Sequence, residues 1–222
     1  MGDNFVINIG RQLGSGGREI GEKLAASLEI SFYDKELINL ASEESGLCRD
    51  FFEKADEKPS QPLMNGLFGM RFPFPNDSIM ACNSCLSNDA LFKVQSDVIR
   101  KLAAEKSCLF VGRCADYILR DHPRHVNVFV SASLDDRIER LCQTMHVGKA
   151  EAEELIERTD KKRSEYYNYY SYKTWGAAAT YHLCIGSSAL GVDDTVLFVA
   201  EFVKKKSERS RPKRSTKPAD KG

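Results

Sequence analysis

Phe5-Val6-Ile7-Asn8-Ile9-Gly10-Arg11-Gln12-Leu13-Gly14-Ser15-Gly16-Gly17-Arg18-Glu19-Ile20 decides the fold of this 222-residue chain. Phe5 to Ile9 is a short apolar run suited to a buried strand. Ile20, Leu24 and Leu28 recur at i, i+4 and i+8, the spacing of a helix face. Between them lies a glycine-rich turn. A strand, such a turn and a helix in succession expose backbone N–H groups at a helix N-terminus, which suits a phosphate. The plain alternative is a tight strand–helix turn with no ligand.

The turn departs from the phosphate-loop pattern G-x-x-x-x-G-K-[ST]. Gly16 fits the second glycine, but Arg11 stands at the first, Gly17 at the lysine and Arg18 at the Ser/Thr. Arg11 and Arg18 are candidates to supply the missing charge, because guanidinium matches phosphate geometry.

Outward from this unit the pattern repeats. Phe32-Tyr33 ends a second short strand, and Asp34 caps a helix carrying Leu37, Ile38 and Leu40. Leu91, Val94, Val98, Ile99 and Leu102 mark another helix. Cys108 to Val111 and Val126 to Val130 are buried strands. Ser133-Leu-Asp-Asp136 opens a helix. Residues 149–159 are helical, His182 to Ile185 is a last strand, and Val192 to Val203 is the closing helix. Alternating strands and helices predict an α/β domain with a mostly parallel sheet over residues 1–203. Residues 59–88 break the pattern: four Pro, two Gly and scattered aromatics predict an irregular insert.

Composition excludes several classes. Hydrophobic residues are 42% and charged residues 29%, as in an ordinary globular chain. No apolar run is long enough to span a bilayer, and the N-terminus lacks a signal-peptide pattern, so a cytoplasmic protein is expected. Net charge is zero, yet residues 204–222 hold nine Lys/Arg against two Asp/Glu. They are expected to form a disordered basic tail, a solvated extension rather than a nucleic-acid arm, since the body is left acidic. Seven scattered Cys fit reduced thiols; Cys108 and Cys184 are expected in the core. Cys82-Asn-Ser-Cys85 lacks a second ligand pair for zinc. No metal site is expected from the protein's own residues.

Three further features favour a phosphate ligand. Gly112-Arg113 follows a buried strand, where open α/β sheets place their ligands. Arg158-Thr-Asp160-Lys-Lys-Arg163 gathers four cations about one carboxylate. Asp34 follows directly on a strand and could accept hydrogen bonds from a sugar or base. Taken singly, each has an ordinary explanation: a surface Arg, a solvated helix face, an N-cap.

In order, these pieces resemble the cytidylate kinase-like family, a branch of the P-loop nucleoside-monophosphate kinases. The residues are Ile7 to Gly21, Phe32-Tyr-Asp34-Lys-Glu36-Leu, Val111-Gly-Arg113-Cys-Ala-Asp116-Tyr, Arg158 to Ser164, Tyr166 to Tyr170 and Trp175-Gly176. The resemblance implies a P-loop NTPase-type three-layer α/β/α fold with a five-stranded, mostly parallel sheet. It also implies an acceptor-binding insert (residues 59–88) and a lid (residues 158–175). ATP and Mg2+ are the implied cofactors, and small nucleotides such as CMP or dCMP the implied partners. Gly14, Ser15, Gly16, Gly17 and Arg18, with Arg11, would hold the donor phosphates. Asp34 and Arg113 would hold the acceptor. Arg18, Arg158, Asp160 and Arg163 would serve catalysis. Val111 and Cys114 stand where cytidylate kinases carry Asp on both sides of Gly-Arg. Two activities fit: phosphoryl transfer from ATP to a nucleoside monophosphate or related small acceptor, or nucleotide binding in a regulatory module without efficient transfer.

Overall fold

The computed structural model describes residues 4–44 and 88–209. The chain begins with β1 (Val6–Arg11), α1 (Gly17–Ser27), β2 (Ser31–Tyr33) and α2 (Lys35–Glu44). It resumes with α3 (Asn88–Glu105), β3 (Cys108–Val111), α4 (Ala115–Ile118) and β4 (His125–Ser131). Then come α5 (Leu134–Met145), α6 (Lys149–Ser171), a 3-10 turn (Ala178–Thr180), β5 (Leu183–Gly186) and α7 (Gly191–Arg209). The five strands are parallel and lie in the order β2-β3-β1-β4-β5.

Parallel sheets bury both faces, so their strands are apolar throughout. Val6, Ile7 and Ile9 of β1 and all of β3 follow this rule. On one face Ile7, Ile9, Val128 and Val130 pack with Ile20 and Leu24 of α1 and Val199 of α7. On the other, Val6, Cys108 and Phe110 pack with Ile38, Ile99 and Ile118. The sheet is thus the middle of three layers. Two positions before the terminal Arg11 break the apolar run of β1: Asn8 is buried, and Gly10 has no side chain.

Several expectations meet a different arrangement. Arg158 to Ser171 is not a separate segment but the continuation of one 23-residue helix, α6. Cys184 faces solvent, because β5 is an edge strand and exposes alternate residues. Helix α7 runs six residues past Val203, into the stretch assigned to a tail. Lys206 donates from Nζ to the His125 carbonyl at 2.8 Å, and cations in the last turn oppose the helix dipole. Residues 210–222, residues 59–87 of the expected insert, Cys82 and Cys85 lie outside the described residues. Among the described residues no helix is long and apolar enough to cross a membrane.

Candidate active site

The glycine turn is held from below and from the side. Gln12 donates its backbone N–H to the Val130 carbonyl at 3.1 Å. Ser187 Oγ donates to the Ser15 carbonyl at 2.7 Å, and Ser15 Oγ donates to the Gln12 carbonyl at 2.9 Å. Ser15 is fully buried, so its side chain braces the turn and does not face a ligand. Gly14 and Gly16 adopt left-handed backbone, at φ 77° and 75°. Gly16 caps α1 with no side-chain hydrogen bond of its own; the Gly17 N–H donates to Ser15 Oγ at 3.4 Å, and the N–H groups of Arg18 and Glu19 are left for a ligand.

Leu13 is clasped from two helices. Its N–H donates to Asp160 Oδ1 at 2.8 Å, and its carbonyl accepts from Arg137 Nε at 2.7 Å. Arg137 and Asp160 also pair with each other, largely buried. Asp160 therefore positions the turn against α5 and α6 and is not directed at reacting atoms. Arg158 is exposed and does not line the cavity above the turn. Of the helix residues expected to act in catalysis, Arg163 reaches the cavity, and Lys162 and Thr159 accompany it.

That cavity measures about 1010 Å³ and lies at the C-terminal ends of β1 and β3. Arg11, Arg18, Arg113, Arg140 and Arg163 line it, with Asp34 and Glu36 on the same wall. Arg163 donates to the Arg11 carbonyl at 3.1 Å. Arg113 is stacked over Tyr166, 4.5 Å from ring centroid to guanidinium carbon, and donates to Gln95 Oε1 from Nε and Nη2. Gly112, Arg113 and Cys114 all have left-handed φ, a costly run that turns the chain back beside the cleft. The Arg11 guanidinium crosses to Gly112 and makes no ion pair or side-chain hydrogen bond among the described residues. Burial, then the charges of Arg163 and Arg113, push its pKa down to about 9 against the smaller opposing pull of Glu36 and Asp34, so it stays charged at neutral pH without forming an ion pair with either.

The structure accounts for the missing lysine. A Cβ on Gly17 would lie 2.5 Å from Arg11 Cβ and 3.3 Å from Val130 Cβ. Only glycine fits there, because Arg11 fills the space.

Asp34 is nearly buried and fully engaged. It accepts from Arg18 Nε at 2.8 Å and from the Leu37 N–H at 3.1 Å. Burial raises its pKa, but the Leu37 N–H and the Arg18 guanidinium outweigh that and bring it below the usual carboxylate range. Arg18 also pairs with Glu22 at 3.3 Å and is mostly exposed. Asp34 and Arg18 thus form a bridge between α1 and the start of α2 at the cavity edge.

The pattern of the cytidylate kinase-like family matches residues 6–189. The chain belongs to the cytidylate kinase-like family. Membership of this kinase-like family supports phosphoryl-transfer chemistry and nucleotide binding in general. A crystal structure of an uncharacterized protein from Eubacterium ventriosum is 25% identical, with a TM-score of 0.68 over 90% of this chain and 99% of that one. Shikimate kinase from Bacteroides thetaiotaomicron shares the fold at 12% identity, with a TM-score of 0.50 over 90% of this chain and 98% of that one. No curated protein sequence matches the chain.

Sequence reasoning missed Arg137, Arg140 and Gln95. Arg137 and Arg140 are three residues apart on α5, a spacing indistinguishable from a solvated charged face. Arg140 lies against Gly16, with its Nη1 buried and without a hydrogen bond. Gln95 is fully buried in α3, where it holds Arg113 and donates to Asn39 Oδ1 at 2.7 Å. Its signal was a polar residue inside an apolar helix stripe.

Proposed function

We propose that the protein transfers the γ-phosphoryl group of ATP to a nucleoside monophosphate of the CMP or dCMP type. One observation carries this reading: Arg11, Arg113 and Arg163 meet at one cavity, and Arg11 has no paired carboxylate among the described residues. Anions relieve such a cluster, and phosphates match guanidinium geometry. The cavity is large enough for parts of two ligands.

Gly14, Gly16, Gly17 and the N-terminus of α1 would hold the donor phosphates, with Arg11 and Arg140 as neighbouring cations. Arg113, oriented by Gln95 and Tyr166, would hold the acceptor phosphate. Arg163 bridges the two sides through its bond to the Arg11 carbonyl, and would neutralise charge on the phosphoryl group in flight. Positioning and positive charge supply most of the catalysis in such transfers. A magnesium ion would arrive on the nucleotide phosphates, which fits a wall carrying Asp34 and Glu36 rather than a dedicated carboxylate cage. Its chemistry, when bound, is to polarise the phosphates and neutralise their charge. Asp160 keeps its role as the brace of Leu13.

Chromatography of nucleotides after incubation with Mg·ATP and single acceptors tests the reading. CDP or dCDP should appear in step with ADP. ADP without a diphosphate product of the acceptor would contradict it. ATP that protects against thermal unfolding without any transfer would favour a nucleotide-binding module.

A further inference from the structure

A second cavity, about 540 Å³, opens between the start of α3 and the last turns of α6. Its described wall comprises Tyr166, Tyr169 and Tyr170, the carboxylates Asp89 and Glu165, and Lys162. It shares Tyr166 and Lys162 with the arginine cavity but none of the arginines. The two differ in kind: the first is basic, and this one is aromatic and acidic.

The run Tyr166-Tyr-Asn-Tyr-Tyr170 explains the wall. Residues 166, 169 and 170 stand at i, i+3 and i+4 and share one helix face, while Tyr167 is buried. Tyr170 stands between the other two, 4.7 Å and 59° from Tyr166 and 4.9 Å and 89° from Tyr169. Rings at such angles do not stack flat on one another, so they offer faces as well as edges. Tyr170 is fixed to α3 twice. It stacks on Phe92 at 4.0 Å and 13°, and its hydroxyl donates to Asp89 Oδ1 at 2.9 Å. A carboxylate has more lone pairs than one hydroxyl uses, so Asp89 keeps acceptor capacity toward the cavity. Tyr169 is 64% exposed, and clustered aromatic surface of this sort marks a binding site.

The same groups select the ligand. Aromatic faces are negative, and Asp89 and Glu165 outnumber Lys162, so the wall favours a cation and disfavours an anion. Among the described residues no group of three metal-binding side chains exists, which leaves a bare metal ion without a ligand set. A bulky ammonium, weakly hydrated and apolar at its surface, suits the rings. One of them already holds a cation: Arg113 lies over Tyr166, 4.5 Å from the ring centroid.

We propose that Tyr166, Tyr169, Tyr170, Asp89 and Glu165 form a binding site for a small organic cation with an ammonium head. A quaternary ammonium compound and a polyamine share this chemistry. The site stands apart from the phosphoryl-transfer reading, because it draws on no arginine and no part of the glycine turn.

Calorimetric titration of the full chain at matched ionic strength tests it. The probes are choline, spermidine and dimethylbutanol, the neutral isostere of choline in which carbon replaces nitrogen. Choline or spermidine should bind at least about tenfold more tightly than dimethylbutanol, as expected when cation–π contacts and a carboxylate act together. Asp89→Asn and Tyr169→Ala should each weaken the cation about threefold or more, with thermal melts confirming that both fold. Asp89→Asn should leave dimethylbutanol unaffected. Tighter choline assigns the rings to a quaternary head, and tighter spermidine assigns the carboxylates to a polyamine. Three outcomes overturn the site: equal affinity for choline, spermidine and dimethylbutanol, no binding of either cation at millimolar concentration, or cation affinity untouched in both folded variants.

Discussion

Replacing Arg11 by Met should stabilise the free protein and weaken phosphate binding together. The side chain stretches from the glycine turn to Gly112 without a carboxylate partner among the described residues. Its pKa falls from the usual guanidinium range to about 9, chiefly through burial and then through Arg163 and Arg113. At about 1.4 kcal/mol per pH unit that sets a ceiling near 5 kcal/mol on the cost of the charge. Water in an open cavity screens much of it, so about 1–2 kcal/mol is the expected gain on removal. For a domain of this size the melting temperature should rise by about 2–8 °C. The sign with pH follows. The folded pKa lies below the unfolded one, so the cost is present at neutral pH and fades as pH climbs above the folded value toward the unfolded one. The gap between variant and parent melting temperatures should therefore stay constant below the folded pKa and narrow above it. Meanwhile phosphate affinity should drop about 10- to 100-fold, the worth of a charge-assisted hydrogen bond. Scanning calorimetry and phosphate titration on the same samples check both. A variant that melts lower and binds phosphate as before would refute the reasoning, because Arg11 would then be a structural residue.

Three other perturbations follow from the same geometry. Gly17→Lys should lower the melting temperature and activity, since its Cβ meets Arg11 Cβ at 2.5 Å, and adding Arg11→Gly should restore both. A single lysine variant that is more active than the parent would contradict this. Asp160→Ala should cost about 3–5 kcal/mol, because it leaves Arg137 buried without its partner; denaturant unfolding measures it. For Asp34, the folded pKa lies below the unfolded 3.8, so it contributes stability above that pH and loses it as pH falls through the folded value. Asp34→Asn should accordingly flatten the acid limb of the stability curve, and an unchanged limb would show that the Arg18 bridge adds nothing.

The α/β architecture was legible because parallel strands must be apolar on both faces, and β1, β3 and β4 are written that way. The helix caps at Asp34 and Ser133 were equally legible, since each puts an oxygen three residues before the N–H it accepts. Arg11, Arg113, Arg163 and the glycine turn were found in sequence and do share one cavity. Arg158 lies away from the cavity for a simple reason: a motif fixes spacing but not the direction of a side chain. Arg158 is five residues before Arg163, which puts it on the solvent side of α6. Asn8, Asp116 and Tyr167 lie within the stretches that carried the resemblance and Tyr181 does not, but that all four line one cavity could not be read from four separate stretches. Only the tertiary fold makes them neighbours.

The central claim is that arginines in this cavity act on a phosphoryl group in transfer. Single-turnover transfer from Mg·ATP to CMP, compared between the parent and Arg163→Ala at saturating nucleotide, tests it most directly. The account predicts that the variant's rate falls about 100-fold or more, the worth of one donor to transition-state charge, while ATP affinity changes by less than about threefold. A variant with the parent's rate and an ATP affinity weakened in proportion would contradict it, and would leave Arg163 as a ground-state anchor alone.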